Sequence, residues 1–87
     1  RLPVTFHDCT GPFTLLAGIQ LSFGSSNAMY QEVVRAYLHS VYPEFVEEMP
    51  TLQSGKYLPP TRAGIGAVLQ PDIVNRSGVE VRLTGRR

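Results

Sequence analysis

From Phe13 to Phe23 apolar residues fall on alternate positions: Phe13, Leu15, Ala17, Ile19, Leu21 and Phe23. Thr14, Leu16, Gly18, Gln20 and Ser22 stand between them. A period of two predicts a strand with one buried face. Eleven extended residues would reach about 36 Å, so a bulge or bend is expected near Gly18. Val4 and Phe6 alternate with Thr5 and His7, which predicts a shorter strand. Thr10-Gly11-Pro12 then breaks the pattern, and the two strands are expected to pair as a hairpin. After the polar loop Gly24 to Asn27, the apolar set is Tyr30, Val33, Val34, Tyr37, Leu38 and Val41. This spacing predicts an amphipathic helix, with Gln31, Glu32, Arg35 and His39 on its polar side. Glu32 and Arg35 are spaced for a weak surface pair. Pro43 ends the helix or opens a further turn over Glu44 to Met49.

Residues 50–71 carry Pro59-Pro60, three glycines and little periodicity. Tyr57-Leu58 and Ile65 to Leu69 are candidate edge strands. Asn75-Arg76-Ser77-Gly78 reads as a turn, and Val79, Val81 and Leu83 predict a final half-buried strand. The expected order is hairpin, helix, irregular segment, strand.

Length sharpens this picture. Eighty-seven residues make one domain, spanning 1–87, with too little chain for a second core. A hydrophobic content of 43% and a charged content of 17% mark a globular chain. The formal net charge is +1, which disfavours a nucleic-acid partner. The one local basic excess is Arg82, Arg86 and Arg87, read as a solvated tail. A single cysteine, Cys9, excludes an internal disulfide and suits a reducing compartment, so a cytoplasmic or nuclear location is expected. No apolar run approaches the roughly 18–20 residues that span a bilayer. Arg1-Leu2-Pro3-Val4 lacks a signal peptide's apolar stretch, and without an initiator Met a segment or trimmed chain is expected. Asn75-Arg76-Ser77 fits the glycosylation triplet but needs a secretory context.

The candidate chemistry is sparse. Phe6-His7-Asp8-Cys9 is similar to the distal-histidine motif of haem peroxidases. That motif needs an arginine four residues before the histidine, where Pro3 stands here, and the chain is too short to enclose a haem. His7 and Cys9 share one face of a strand, the spacing of a nucleophile–base pair. Asp8 points the other way and no third, orienting group is evident. The expected reading is therefore a half-buried thiol beside a surface imidazole. His7, His39, Cys9 and Asp8 lack the paired spacing of structural zinc, so no metal or cofactor is expected. Gly64-Ile65-Gly66 is half of a dinucleotide fingerprint without its third glycine, and Gly55-Lys56 lacks a following Ser or Thr. Glu44, Glu47 and Glu48 read as a solvated acidic face, and Tyr30 and Tyr37 as core residues of the helix.

Several short segments resemble the β-grasp family of ubiquitin-like and sulfur-carrier proteins. Thr10-Gly11 before Phe13-Thr14-Leu15 is similar to a ubiquitin-type first turn and second strand. Gly55-Lys56-Tyr57-Leu58, with Arg62 four residues on, resembles the ubiquitin Gly-Lys-x-Leu-x-x-x-Arg segment. Ile73, Val79, Val81 and Leu83 look like the approach to the last ubiquitin strand and the strand itself. Tyr42-Pro43-Glu44-Phe45 and Gly78-Val79-Glu80-Val81 are similar to the sulfur-carrier branch. The resemblance implies an α+β fold in which an N-terminal hairpin and a small mixed sheet hold one main amphipathic helix. Conjugated members end in Gly-Gly, whereas this chain ends Leu83-Thr84-Gly85-Arg86-Arg87, which implies a non-conjugating module. Of the ubiquitin partner patch Leu52 is an apolar match, while Cys9 and Arg82 replace the other two aliphatics.

The expectation is thus a non-catalytic protein–protein interaction module, not an enzyme. Leu52, Lys56, Glu80 and Arg82 would meet a protein partner, with no membrane and no cofactor involved. The alternatives are a sulfur carrier or modifier that continues past Arg87, and a viral or phage-type assembly subunit whose strand Phe13 to Phe23 pairs between copies.

Overall fold

A computed structural model describes residues 2–85 of the chain. Arg1, Arg86 and Arg87, including the two terminal arginines of the basic tail, lie outside the described residues. The described residues form a small α+β arrangement with two two-stranded sheets. Strand β1 covers Val4–Phe6, helix α1 Pro12–Gly24, and strand β2 Ala28–Gln31. A π-helical stretch at Tyr37–Val41 runs into a 3-10 turn at Tyr42–Glu44. The short strands β3 (Leu52–Gln53) and β4 (Lys56–Tyr57) follow, then a second 3-10 turn at Ile73–Asn75.

The largest departure from expectation is residues 13–23, which are helical. Helix α1 buries Leu15, Leu16, Gly18 and Ile19, a stripe with helical rather than alternate spacing. Leu16 belongs to that stripe and stands among the nominally polar positions of the alternation. Phe13, Leu21 and Phe23, on the supposed buried face, are 38%, 56% and 52% exposed. The alternation was therefore accidental: a helix apolar on most sides carries both periods at once. Pro12 sets the first turn, where its missing N–H costs nothing.

With α1 helical, the β1–β2 hairpin disappears. The two strands pair parallel through an α-helical crossover, in the register Val4↔Ala28, Thr5↔Tyr30 and Phe6↔Gln31, with an irregularity after Val4. Two backbone bonds close the ladder at its ends, Val4 N–H to Asn27 C=O at 2.9 Å and Glu32 N–H to Phe6 C=O at 2.9 Å. A methyl group at Gly18 would meet the end of the Gln31 side chain, which reaches across from β2 to α1 and would have to shift.

The expected helix over Tyr30 to Val41 is also divided. Its first residues belong to β2, and Tyr30 is 69% exposed. Pairing with β1 outweighs the helical spacing there, and the β-branched Val33 and Val34 do not favour helix over strand. Helical structure follows, and the Tyr42 N–H bonds back to the Tyr37 carbonyl five residues earlier, the wide turn of a π-helix. Leu38 and Tyr42 turn inward and join Leu15 and Ile19 in the core, with Val33, Met49 and Tyr57 packed against them.

The C-terminal half combines one short hairpin with single bonds back to residues 45–47. Leu52 pairs with Tyr57 and Gln53 with Lys56, so Tyr57 does lie in a strand, although Leu58 follows it. Of the stretch 65–69, only Leu69 makes a bridge, antiparallel to Val46. The Glu47 N–H bonds the Val68 carbonyl and the Gln70 N–H the Phe45 carbonyl, each at 2.9 Å. Residues 79–83 form no strand. Val81 is 54% and Leu83 75% exposed, so no partner strand or core face rewards the alternation there. Without the hairpin, the single main helix on the sheet and the closing strand, the β-grasp arrangement does not hold. No helix among the described residues is long and apolar enough to cross a membrane.

Candidate functional site

In a β-α-β unit with parallel strands, both strands end on the same side, and side chains just beyond those ends converge. His7 follows the last residue of β1 and Glu32 the last residue of β2. Their side chains meet, with His7 Nε2 3.5 Å from Glu32 Oε1. Cys9 Sγ lies 3.4 Å from the same ring nitrogen. The site is open, with 66% of the His7 and 48% of the Glu32 side chain exposed. An imidazole, a carboxylate and a thiol thus share one mouth.

Asp8 is the foundation of this cluster. It is fully buried between the exposed His7 and Cys9, so the alternation of β1 persists two residues past its end. Asp8 Oδ1 accepts the Thr10 N–H at 3.2 Å and the Gly11 N–H at 3.4 Å, an Asx-type turn that leads the chain into α1. Asp8 Oδ2 accepts the Tyr42 hydroxyl at 2.8 Å. One carboxylate therefore ties the His7–Cys9 loop to the start of α1 and to the core. Burial, followed by the hydrogen bond and charge of Asp8, pushes the Tyr42 phenol well above its ordinary range. Burial, with Asp8 again second, also raises the Tyr57 phenol.

The sequence places His7 and Cys9 together and Asp8 apart from them, as the geometry shows. It misses Glu32, which the helical spacing assigned to a solvent-facing pair with Arg35. Recognising α1 as a helix would have recovered it, because residues after the strands of a β-α-β unit gather at one end. Among the described residues no group of three or more His, Cys, Asp or Glu side chains could hold a metal ion.

The residues expected to meet a protein partner fall in two segments of the chain. Leu52 and Lys56 lie on the exposed β3–β4 hairpin, Leu52 being 44% exposed. Glu80 and Arg82 stand in the strandless segment and pair with each other at 2.6 Å. The strand face on which they were expected to stand is not formed. Nearby, Arg76 donates to both carboxylate oxygens of Asp72 (Nη2 to Oδ1 at 3.0 Å, Nε to Oδ2 at 3.3 Å) and to the Glu44 carbonyl at 2.6 Å. The Arg76 hydrogen bonds hold the Asp72 carboxyl below its usual value.

No protein-family model matches the chain, and no curated protein matches it. Solved structures do. The chain is similar to an enolase protein from the environmental genome shotgun sequencing of the Sargasso Sea, at 40% identity over 98% of its length, with a TM-score of 0.83. It is also similar to an enolase of the mandelate racemase subgroup from Agrobacterium tumefaciens, at 40% identity over 85% of the chain, with a TM-score of 0.72. A second structure of that Agrobacterium enolase, with sodium and phosphate, gives 42% identity over 85% and a TM-score of 0.76. The chain spans 23%, 19% and 20% of those three solved chains. These similarities overturn the ubiquitin-like reading, the assignment of a non-catalytic interaction module and the expectation that no enzyme is involved. They favour neither the sulfur carrier nor the assembly subunit.

Proposed function

We propose that this chain is a portion of an enolase-family enzyme and supplies the base that removes a proton next to a substrate carboxylate. The observation that carries the reading is the position of His7 and Glu32 at the adjoining ends of two parallel strands, in a chain 40% identical to enolase proteins. Barrel enzymes built from such units gather their catalytic side chains at the C-terminal ends of the strands. Sites of the enolase superfamily use a lysine or histidine base.

His7 Nε2 takes the proton from the substrate carbon. The C–H bond breaks, its electron pair stays on that carbon and spreads into the carboxylate as an ene-diolate, and the proton bonds to Nε2. The imidazolium so formed faces the Glu32 carboxylate at 3.5 Å, which stabilises the added charge. Asp8 keeps the His7 loop in place from beneath.

Magnesium in such sites stabilises the ene-diolate. These residues do not fit it. Mg²⁺ favours an octahedral set of oxygen ligands, and the buried Asp8 oxygens are committed to Thr10, Gly11 and Tyr42. Ligands for the ion belong to parts of the enzyme beyond these residues. The exposed apolar side chains support the same larger setting. Phe23, Leu21, Met29 and Tyr30 are each more than half exposed, although parallel strands and all-apolar helices are ordinarily covered. The radius of gyration of 14.4 Å also exceeds the roughly 12 Å expected for a compact chain of this length.

The test is exchange of the α-proton in D₂O, followed by proton NMR, with the complete protein and a panel of α-hydroxy carboxylates that includes mandelate. At least one acid should exchange, and His7→Asn should slow that exchange at least about 100-fold. Exchange that survives the substitution, or a panel that stays inert, defeats the proposal.

A further inference from the structure

The β1–β2 ladder ends where the Phe6 carbonyl accepts the Glu32 N–H at 2.9 Å. The side chain of Gln31, the last residue of β2, carries the pairing one step further. Its Nε2 donates to the Phe6 carbonyl at 3.3 Å and to the Glu32 carbonyl at 2.8 Å, so both amide hydrogens are used. The same contacts fix the orientation of the amide, because a flipped group would set its oxygen against two carbonyl oxygens. The Oε1 end is buried, with no hydrogen-bond partner among the described residues. It sits against Gly18 of α1, in the space where a side chain at that position would begin.

We infer that Gln31 is a positioning residue that sets the spacing of His7 and Glu32 across the mouth of the site. The Phe6 carbonyl belongs to the peptide that carries His7, and the Glu32 carbonyl to the residue facing it, so one amide ties the two together. The inference rests on the reading of that mouth as the place of proton removal, and adds the brace that holds its width. His7 and Glu32 are both exposed, and an exposed pair holds itself weakly. Their 3.5 Å separation is therefore set by the backbone beneath them. Asp8 anchors the loop after β1 to the start of α1 and to Tyr42, but none of these partners lies on β2. Gln31 supplies the link between the two strand ends, and the strands themselves are only three and four residues long. Gly18 leaves the amide its seat.

Two measurements on the complete protein decide this. Gln31→Met keeps a long, unbranched side chain and removes both donors. In the α-proton exchange assay its kcat should fall about 10- to 100-fold, the loss expected when reacting groups move by roughly 1 Å, with KM changed less than about threefold and the fold intact by circular dichroism. An unchanged kcat in a folded variant overturns the inference, and so does a loss confined to stability. The second measurement needs no substrate. Alanine favours folding about fivefold over glycine inside a helix. Gly18→Ala should show that gain in denaturant unfolding in a Gln31→Ala background. It should lose the gain when Gln31 is present, since the added methyl group displaces the amide from its carbonyls. Equal gains in both backgrounds overturn the inference whether or not a substrate is found. Coupling between Gly18 and Gln31 beside α-proton exchange that survives His7→Asn would sink the base assignment and leave the brace standing. Exchange that needs His7 but is indifferent to Gln31→Met would do the opposite.

Discussion

Residues 4–32 and residues 52–85 are built by different means, and the contrast locates the site. The first region is a β-α-β unit whose helix contributes four of the buried positions and whose strands pair across a crossover. Its geometry depends on contacts far apart in sequence, so the ends of β1 and β2 are held in fixed relation. The second region has two two-residue strands, a 3-10 turn and surface ion pairs, with Ile73 as its one buried apolar side chain among the described residues. It is held by a four-residue hairpin pairing, by single bonds from Val68, Leu69 and Gln70 to residues 45–47, and by exposed side-chain contacts, with no continuous ladder between distant strands. Chemistry that needs two side chains kept within a few ångströms belongs on the first region, and His7 and Glu32 stand there.

Substitutions can break this contrast, taken from the largest expected effect downward. Leu15 is fully buried in α1, and Leu15→Ala should lower stability by about 2–5 kcal/mol in denaturant unfolding, because the cavity cannot fully collapse. A loss below about 1 kcal/mol would mean that α1 is not the core element. Tyr42→Phe removes the hydroxyl that Asp8 accepts at 2.8 Å and leaves a buried carboxylate oxygen unpaired, at a cost of about 1–3 kcal/mol. The same bond gives a pH signature. The folded-state phenol is raised above its unfolded value of 10.0, so its contribution is complete below about pH 10 and declines as pH rises toward the folded value. Wild-type stability should therefore fall in strong alkali with a Tyr42 component that Tyr42→Phe lacks.

Arg76→Ala belongs to the second region and should be the mildest. It removes the contacts to Asp72 and the Glu44 carbonyl, all at the surface, and should lower Tm by a few degrees, about 1–4 °C, near neutral pH. Asp72 is depressed in the fold, so the link it forms is present above the ordinary carboxylate range and lost as pH falls through the depressed value. The wild type and Arg76→Ala should accordingly converge in acid. A Tyr42→Phe effect smaller than that of Arg76→Ala would remove the distinction between the regions.

What the sequence discloses follows the same division. Val4 to Phe6 is a strand as its alternation predicts, and the turn at 75–78 and the break at Thr10-Gly11-Pro12 lie where their residues place them. The alternation of His7, Asp8 and Cys9 correctly turns Asp8 away from the other two, but Cys9 is exposed rather than half-buried. Phe13 to Phe23 misleads because a helix apolar on most faces satisfies a period of two, and Leu16 was the residue that broke it. Taking that stretch as a strand puts Glu32 on the polar face of a helix instead of at the end of a strand, and hides its meeting with His7. Val79 to Leu83 misleads for the opposite reason: its alternation is real, but no strand among the described residues lies beside it. The β-grasp resemblance joined these two errors into one fold. Local pattern could not expose them, since only the pairing of β1 with β2 distinguishes a crossover from a hairpin.

The most direct measurement is the rate of α-proton exchange in the complete protein, wild type beside His7→Asn, with folding of both verified by circular dichroism. If the histidine beyond β1 is the base, the variant retains its fold and loses at least about two orders of magnitude in rate. Equal rates from two well-folded proteins would show that proton removal belongs to another residue, and that the meeting of His7 with Glu32 serves structure alone.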